Sequence, residues 1–144
     1  MSVIHYSCES FEEDINVVRD YIRAWGRKPY FVGLYKSSTP IAIKLSNIFN
    51  SEYSIIDVDK ENDEISFLID KIPNKASMLI VLDDILSTGE TLGIVDSFLT
   101  NCGYTNKTYI SIFNNSRAIK LDDFELKVST LRVSNGEKII FPWS

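Results

Sequence analysis

Hydrophobic positions along the chain follow two rhythms. From Phe11 they return every three or four residues, at Ile15, Val18, Ile22 and Trp25, and Gly26 follows as a stop. That spacing predicts an amphipathic helix over about residues 10–25. Ser10-Phe11-Glu12-Glu13 has the spacing of a capping box at its start. Thr39-Pro40 reads as an N-cap followed by proline at the first helical position, and Ile41, Ala42, Leu45, Ile48 and Phe49 supply an apolar face behind it. A third helix is predicted over 91–101, with Leu92, Val95, Phe98 and Leu99 inward and Gly103 at its C-terminal cap.

Between these segments the apolar residues bunch instead of recurring. Residues 30–34 (YFVGL), 53–58 (YSIIDV), 78–82 (MLIVL) and 108–113 (TYISIF) read as short strands, with weaker ones over 125–131 and 137–141. The run at 78–82 is the most continuous, which favours a strand covered on both faces. Residues 59–64 (DKENDE) form a charged, solvated stretch, 65–69 (ISFLI) is ambiguous, and Pro73-Asn74 marks a turn. Helices alternating with short apolar strands imply an α/β fold with a mostly parallel central sheet flanked by helices.

Composition narrows the function classes. The 144 residues fit one domain, 1–144, with 44% hydrophobic and 24% charged residues. A net charge of −5 with a single histidine argues against nucleic-acid binding, which needs a concentrated basic surface. It leaves room for a small phosphorylated ligand held by backbone amides and a metal. Cys8 and Cys102 stand far apart, outside metal-ligand spacing, and read as reduced thiols of a cytoplasmic protein. The first residues lack the basic and apolar regions of a signal peptide, and no apolar run is long enough for a membrane span.

The chemistry concentrates in residues 79–91, LIVLDDILSTGET. In open α/β sheets, ligands bind outside the carboxyl ends of the strands. Asp83 and Asp84 stand at such an end. Adjacent residues of an extended chain point in opposite directions, so the two carboxylates divide the work. They are suited to hydrogen-bonding a sugar diol and to supporting Mg²⁺, which binds through one or two carboxylates, waters and substrate phosphates. Ser87, Thr88, Gly89, Glu90 and Thr91 then turn into a helix, where outward amides, a glycine and three hydroxyls make an anion cradle suited to phosphate. Each half of this run is common alone. Together in this order they describe a site for one ligand, a ribose 5-phosphate.

The same thirteen residues resemble the PRPP-binding signature of the type I phosphoribosyltransferases. The resemblance implies that Asp83 and Asp84 contact the ribose hydroxyls, that residues 87–91 wrap the 5-phosphate, and that Mg²⁺ is bound mainly by the pyrophosphate of PRPP. In that family the first strand after the N-terminal helix leads into a pyrophosphate loop, often a basic residue and two glycines before a proline and helix. Here the stretch is GLYKSSTPIAIKLS, so Lys36 matches the basic position while Ser37 and Ser38 replace the glycines. Glycine-only backbone angles, including the cis peptide some members adopt, would be strained there.

The C-terminal IIFPWS, with YSCESFEED and IFNNSRAIKLDDFEL, is similar to short bacterial and archaeal purine (hypoxanthine, xanthine, guanine) phosphoribosyltransferases. The likeness implies base binding by Phe141, Trp143 and Asn115. It also implies a small hood built from the chain ends, with contributions from about 115–144, and a homodimer or tetramer. Two positions depart from the pattern. Ser87 stands where many 6-oxopurine enzymes have an aspartate, and serine is a poor general base at neutral pH. Asn115 stands where they have a lysine. The reaction implied joins a purine base to PRPP; the alternative is a non-catalytic PRPP- or nucleotide-binding regulatory protein of the same fold. Residues 57–64 lie where relatives carry a loop that closes over the reacting centre.

Overall fold

The computed structural model describes residues 2–69, 72, 78–115 and 128–144. In chain order its elements are β1 (Val3–His5), α1 (Cys8–Arg23), β2 (Pro29–Leu34), α2 (Thr39–Phe49), β3 (Tyr53–Asp59), β4 (Glu64–Ile69), β5 (Met78–Leu86), α3 (Glu90–Asn101), β6 (Lys107–Asn115), β7 (Val128–Ser134) and β8 (Lys138–Ile140). The predicted turn at Pro73-Asn74 and residues 116–127 lie outside the described residues.

Six strands form one sheet in the order β4-β3-β2-β5-β6-β7. Every pairing is parallel except that of β4, which returns antiparallel along β3 at the edge. The ambiguous ISFLI segment is thus a strand. The period-2 alternation of β2 and β5 divides the core. Phe31, Ile80 and Leu82 face α1 and α2, where they meet Ile15, Val18, Ile22, Ile41, Ala42 and Leu45. Tyr30, Val32, Leu34, Leu79 and Val81 face α3, where they meet Leu92, Val95 and Leu99. Helices on both faces explain why β2 is buried along its whole length. Gly33 is required by the packing on the first face, since a Cβ there would lie 2.8 Å from both the Ala42 Cβ and the Ile55 Cδ1.

The chain ends make a second, two-stranded sheet in which β1 runs parallel to β8, with Val3 opposite Lys138 and His5 opposite Ile140. Tyr6 fastens this sheet to the body. Its ring packs edge-on against Phe11, Phe113, Phe141 and Trp143. Its hydroxyl donates to Asp14 of α1 at 2.5 Å, and Asp14 also accepts two bonds from Arg132 of β7, at 2.8 and 3.1 Å. Burial first, and the Asp14 carboxylate second, push the Tyr6 phenol well above its ordinary range.

Some element boundaries differ from the sequence reading. The cap of α1 is Ser7, whose hydroxyl accepts the Ser10 N–H at 3.0 Å, so the helix starts ahead of the predicted serine. Ser38 precedes α2 as its N-cap, one residue before Thr39. Strand β5 continues through both aspartates to Leu86 because β6 keeps pairing with it, Asp83 opposite Ser111 and Leu86 opposite Asn114. Among the described residues, no helix is long and apolar enough to cross a membrane.

Candidate active site

The chain leaves β2 toward β3 on one side and takes up β5 on the other, so the order reverses between β2 and β5. Ligands of open α/β sheets bind at such a switch point, outside the carboxyl ends of the strands. A cleft of about 430 Å³ lies there, within the range of small-molecule sites. It is lined by Tyr35 and Ser37 after β2, Val58 of β3 and Lys60 just after that strand, the last four residues of β5, and residues 87–92.

The pairing of β5 with β2 stops at Leu82, while that with β6 goes on. Asp83 and Asp84 therefore follow the point where β5 loses its β2 neighbour, and both face the cleft. Asp83 is buried, at 8% exposure, and its Oδ1 accepts the Asp84 N–H at 2.9 Å. The Asp84 Oδ1 accepts the Ile85 N–H at 2.7 Å. Burial, and then the neighbouring Asp84 charge, push the Asp83 carboxyl well above the usual carboxylate range; Lys60 pulls in the opposite direction. Burial likewise raises Asp84. Two crowded carboxyl groups in a cleft are poised to gain from a ligand that brings hydroxyl donors or positive charge.

Beyond β5 the chain turns at Gly89, whose φ of +83° is the left-handed conformation that favours glycine. Gly89 is the N-cap of α3 and its carbonyl accepts the Gly93 N–H at 2.9 Å. The first-turn amides have no partner inside the helix by geometry, and they carry the positive end of its dipole. Ser87, Thr88, Gly89, Glu90 and Thr91 all line the cleft. The Thr88 hydroxyl accepts the Glu90 N–H at 3.3 Å. The predicted cradle and the predicted carboxylates share one cavity.

The loop after β2 divides differently from the expectation. Ser37 lines the cleft, and the Tyr35–Lys36 peptide is cis without a glycine on either side. Ser38 is fully buried: its hydroxyl accepts the Leu34 N–H at 2.7 Å and donates to the Leu82 carbonyl at 2.6 Å. Those bonds turn it inward, so its side chain holds the loop and does not line the cleft. Lys36 lines a separate, largely apolar cavity of about 530 Å³, together with Phe11, Ile43 and Trp143. Tyr35 borders both cavities.

The expected base-binding residues are also spread out. Phe141 is buried at 4% exposure, covered by Trp143, which stacks on it at 4.9 Å and 14°. Phe141 therefore belongs to the core, and Trp143 lines the Lys36 cavity. Asn115 is half-buried at the end of β6, opposite Ser134, and does not line the carboxylate cleft. Its neighbour Asn114 has a buried Oδ1 with no hydrogen-bond partner among the described residues.

Lys60 lines the cleft although the sequence alone does not single it out; it belongs to the charged stretch 59–64, within the segment 57–64 that lies where relatives carry a closing loop. That position is the signal the sequence carries, and the structure puts Val58 of β3 and Lys60 of the following turn on the cleft. The Asp59 carboxylate stays in the turn, accepting the Glu61 and Asn62 N–H groups at 3.1 and 3.3 Å.

No protein-family model and no curated protein matches the chain by sequence. Solved structures do match by shape. A purine phosphoribosyltransferase from Pyrococcus horikoshii aligns over 100% of this chain and 95% of its own, with a TM-score of 0.76 and 18% identity. The xanthine-guanine-hypoxanthine phosphoribosyltransferase of Helicobacter pylori aligns over 98% and 92%, with the same score and identity. A hypothetical protein from Neisseria gonorrhoeae with bound ppGpp aligns over 99% and 89%, at a TM-score of 0.72 and 12% identity. The likeness is one of fold, and it extends over the whole chain: this protein has the type I phosphoribosyltransferase fold.

Proposed function

We propose that the chain is a phosphoribosyltransferase that moves the 5-phosphoribosyl group of PRPP onto a purine base and releases pyrophosphate. The observation that carries this reading is the convergence of Asp83, Asp84 and residues 87–91 on one cleft at the switch point of the sheet. In the reaction the bond from ribose C1 to the pyrophosphate oxygen breaks and a bond from C1 to a ring nitrogen of the base forms. Asp83 and Asp84 orient the ribose through its hydroxyls and stabilise positive charge that develops at C1. The first-turn amides of α3 and the Ser87, Thr88 and Thr91 hydroxyls hold the 5-phosphate. Ser87 is no general base, so the proton displaced from the base nitrogen leaves to solvent.

Asp83 and Asp84 offer hard oxygen donors to Mg²⁺, and their raised carboxyls favour a cation beside them. Among the described residues no cluster of three or more His, Cys, Asp or Glu side chains is present to hold a metal alone. Mg²⁺ therefore fits as an ion carried mainly by the phosphates of PRPP, where it would neutralise the leaving pyrophosphate. Incubation with PRPP, Mg²⁺ and a panel of purine and pyrimidine bases, followed by chromatography, tests the activity. A nucleoside monophosphate is expected from at least one purine; none from any base would overturn the reading.

A second reading is a regulatory protein that binds PRPP or a nucleotide without turnover. Ser38 turned inward, Lys36 on another cavity and a ppGpp-bound structural neighbour favour it. Calorimetric binding of PRPP, GMP or ppGpp with no nucleotide formed would establish it over the first.

A further inference from the structure

Positive charge is scarce in the cleft. Asp83, Asp84 and Glu90 line it, and Lys60 is the one cation among the described lining residues. An incoming phosphate dianion meets these carboxylates as well as the α3 amides, whose dipole end is worth about half a charge. Lys36, the basic residue that the loop sequence offers, lines the other cavity.

The location of Lys60 follows from the strand that leads into it. Strand β3 runs parallel to β2, as β5 does, so its carboxyl end rises on the same side of the sheet. Val58 packs with the core beneath α3, and Lys60, the first residue of the turn after β3, lines the cleft together with residues 87–92 at the start of α3. Its turn is braced from within, since both Asp59 oxygens are engaged: Oδ1 accepts two backbone amides and Oδ2 accepts the Asn62 Nδ2–H at 2.8 Å. This leaves the ammonium as the charged group of the turn that borders the cleft.

We propose that Lys60 is a ligand-binding residue that pairs with the 5-phosphate held by residues 87–91, completing an anion site whose other half is the N-terminus of α3. The proposal rests on the preceding reading only in requiring that the cleft take a ribose 5-phosphate group; it does not require transfer. An ammonium can meet a phosphate oxygen as a point charge from a flexible stem, so arginine should substitute for it in charge if not in full geometry.

Heteronuclear NMR titration with ribose 5-phosphate, following the Gly89 and Thr91 amides, tests the assignment, with PRPP titrated in parallel. Lys60→Gln should weaken both ligands by about tenfold, the size of a partly exposed charge-assisted contact. Lys60→Arg should recover most of that loss, and Lys36→Gln should leave ribose 5-phosphate binding within about twofold. Raising the salt concentration should weaken wild type more than Lys60→Gln. Unchanged ribose 5-phosphate binding in Lys60→Gln would overturn the proposal while leaving the phosphoribosyltransferase reading intact. Loss confined to PRPP would place the lysine on the pyrophosphate and also overturn it. If wild type bound neither ligand, both readings would fall together.

Discussion

The Ser38 hydroxyl donates to the Leu82 carbonyl at 2.6 Å, which ties the loop after β2 to the residue immediately before Asp83. The same oxygen accepts the Leu34 N–H at 2.7 Å. One buried side chain thus sets the spacing between two walls of the cleft.

Ser38→Ala should leave the Leu34 amide and the Leu82 carbonyl without this partner at a site that excludes water. The expected loss is about 1–3 kcal/mol of stability, read from urea unfolding. PRPP affinity should fall as well, under conditions where the variant is still fully folded. A variant with wild-type stability would show that the bridge contributes nothing.

Asp83→Asn should stabilise the ligand-free protein near neutral pH. Both carboxyls titrate above the ordinary carboxylate range in the folded state, so folding takes up protons over that interval. The resulting penalty is absent in acid, grows as pH rises through the unfolded carboxylate range, and is complete above the raised folded values. The amide keeps an oxygen for the Asp84 N–H and removes the charge. A gain of about 0.5–2 kcal/mol at pH 7 is expected, fading toward acid, together with weaker PRPP binding. Thermal unfolding across pH checks the sign.

Gly33→Ala should destabilise the fold although alanine is the smallest possible addition. The new methyl would stand 2.8 Å from the Ala42 Cβ and the Ile55 Cδ1, forcing α2 away from β2. Such overpacking costs about 1–3 kcal/mol. Because Ser38 is the N-cap of α2, the shift should also loosen the loop, visible as exchange broadening of the Ser37 and Ser38 amides.

Asp14→Asn should lower the Tyr6 phenol toward its ordinary value, because the carboxylate is the second cause of its elevation after burial. Spectrophotometric tyrosine titration reads this directly. The substitution also removes the nearer of the two carboxylates that Arg132 pairs with, Asp14 at 2.8 Å, leaving Glu13 at 4.0 Å. With part of the Arg132 side chain in solvent, the loss is expected to be about 1–3 kcal/mol.

The strand, the paired carboxylates, the loop and the helix of residues 79–91 were legible because they are contiguous. Local periodicity and turn chemistry suffice when one segment carries both the acids and the cradle. Ser38 was not legible, because a hydroxyl in a loop looks the same whether it faces a ligand or a buried carbonyl. Its direction depends on how closely α2 approaches β2, which Gly33 permits. Lys60 is one charge among several in 57–64, and it is the order β3-β2-β5 that singles it out by bringing the end of β3 beside the cleft. Phe141 and Trp143 stand out in the sequence as aromatic, but their stacking on each other and their edge-on packing against Tyr6 are long-range outcomes that the tail sequence does not encode by itself.

The parallel pairing of Val3–His5 with Lys138–Ile140 gives the fold an order of assembly. Strand β1 is made well before β8, the strand it pairs with among the described residues. Contacts of such long sequence separation close late, after the loop-closure entropy has been met by the central sheet. The aromatic cluster around Tyr6 should therefore be the last part of the core to lock and, by the same token, a segment whose protection against hydrogen exchange falls below that of β2 and β5.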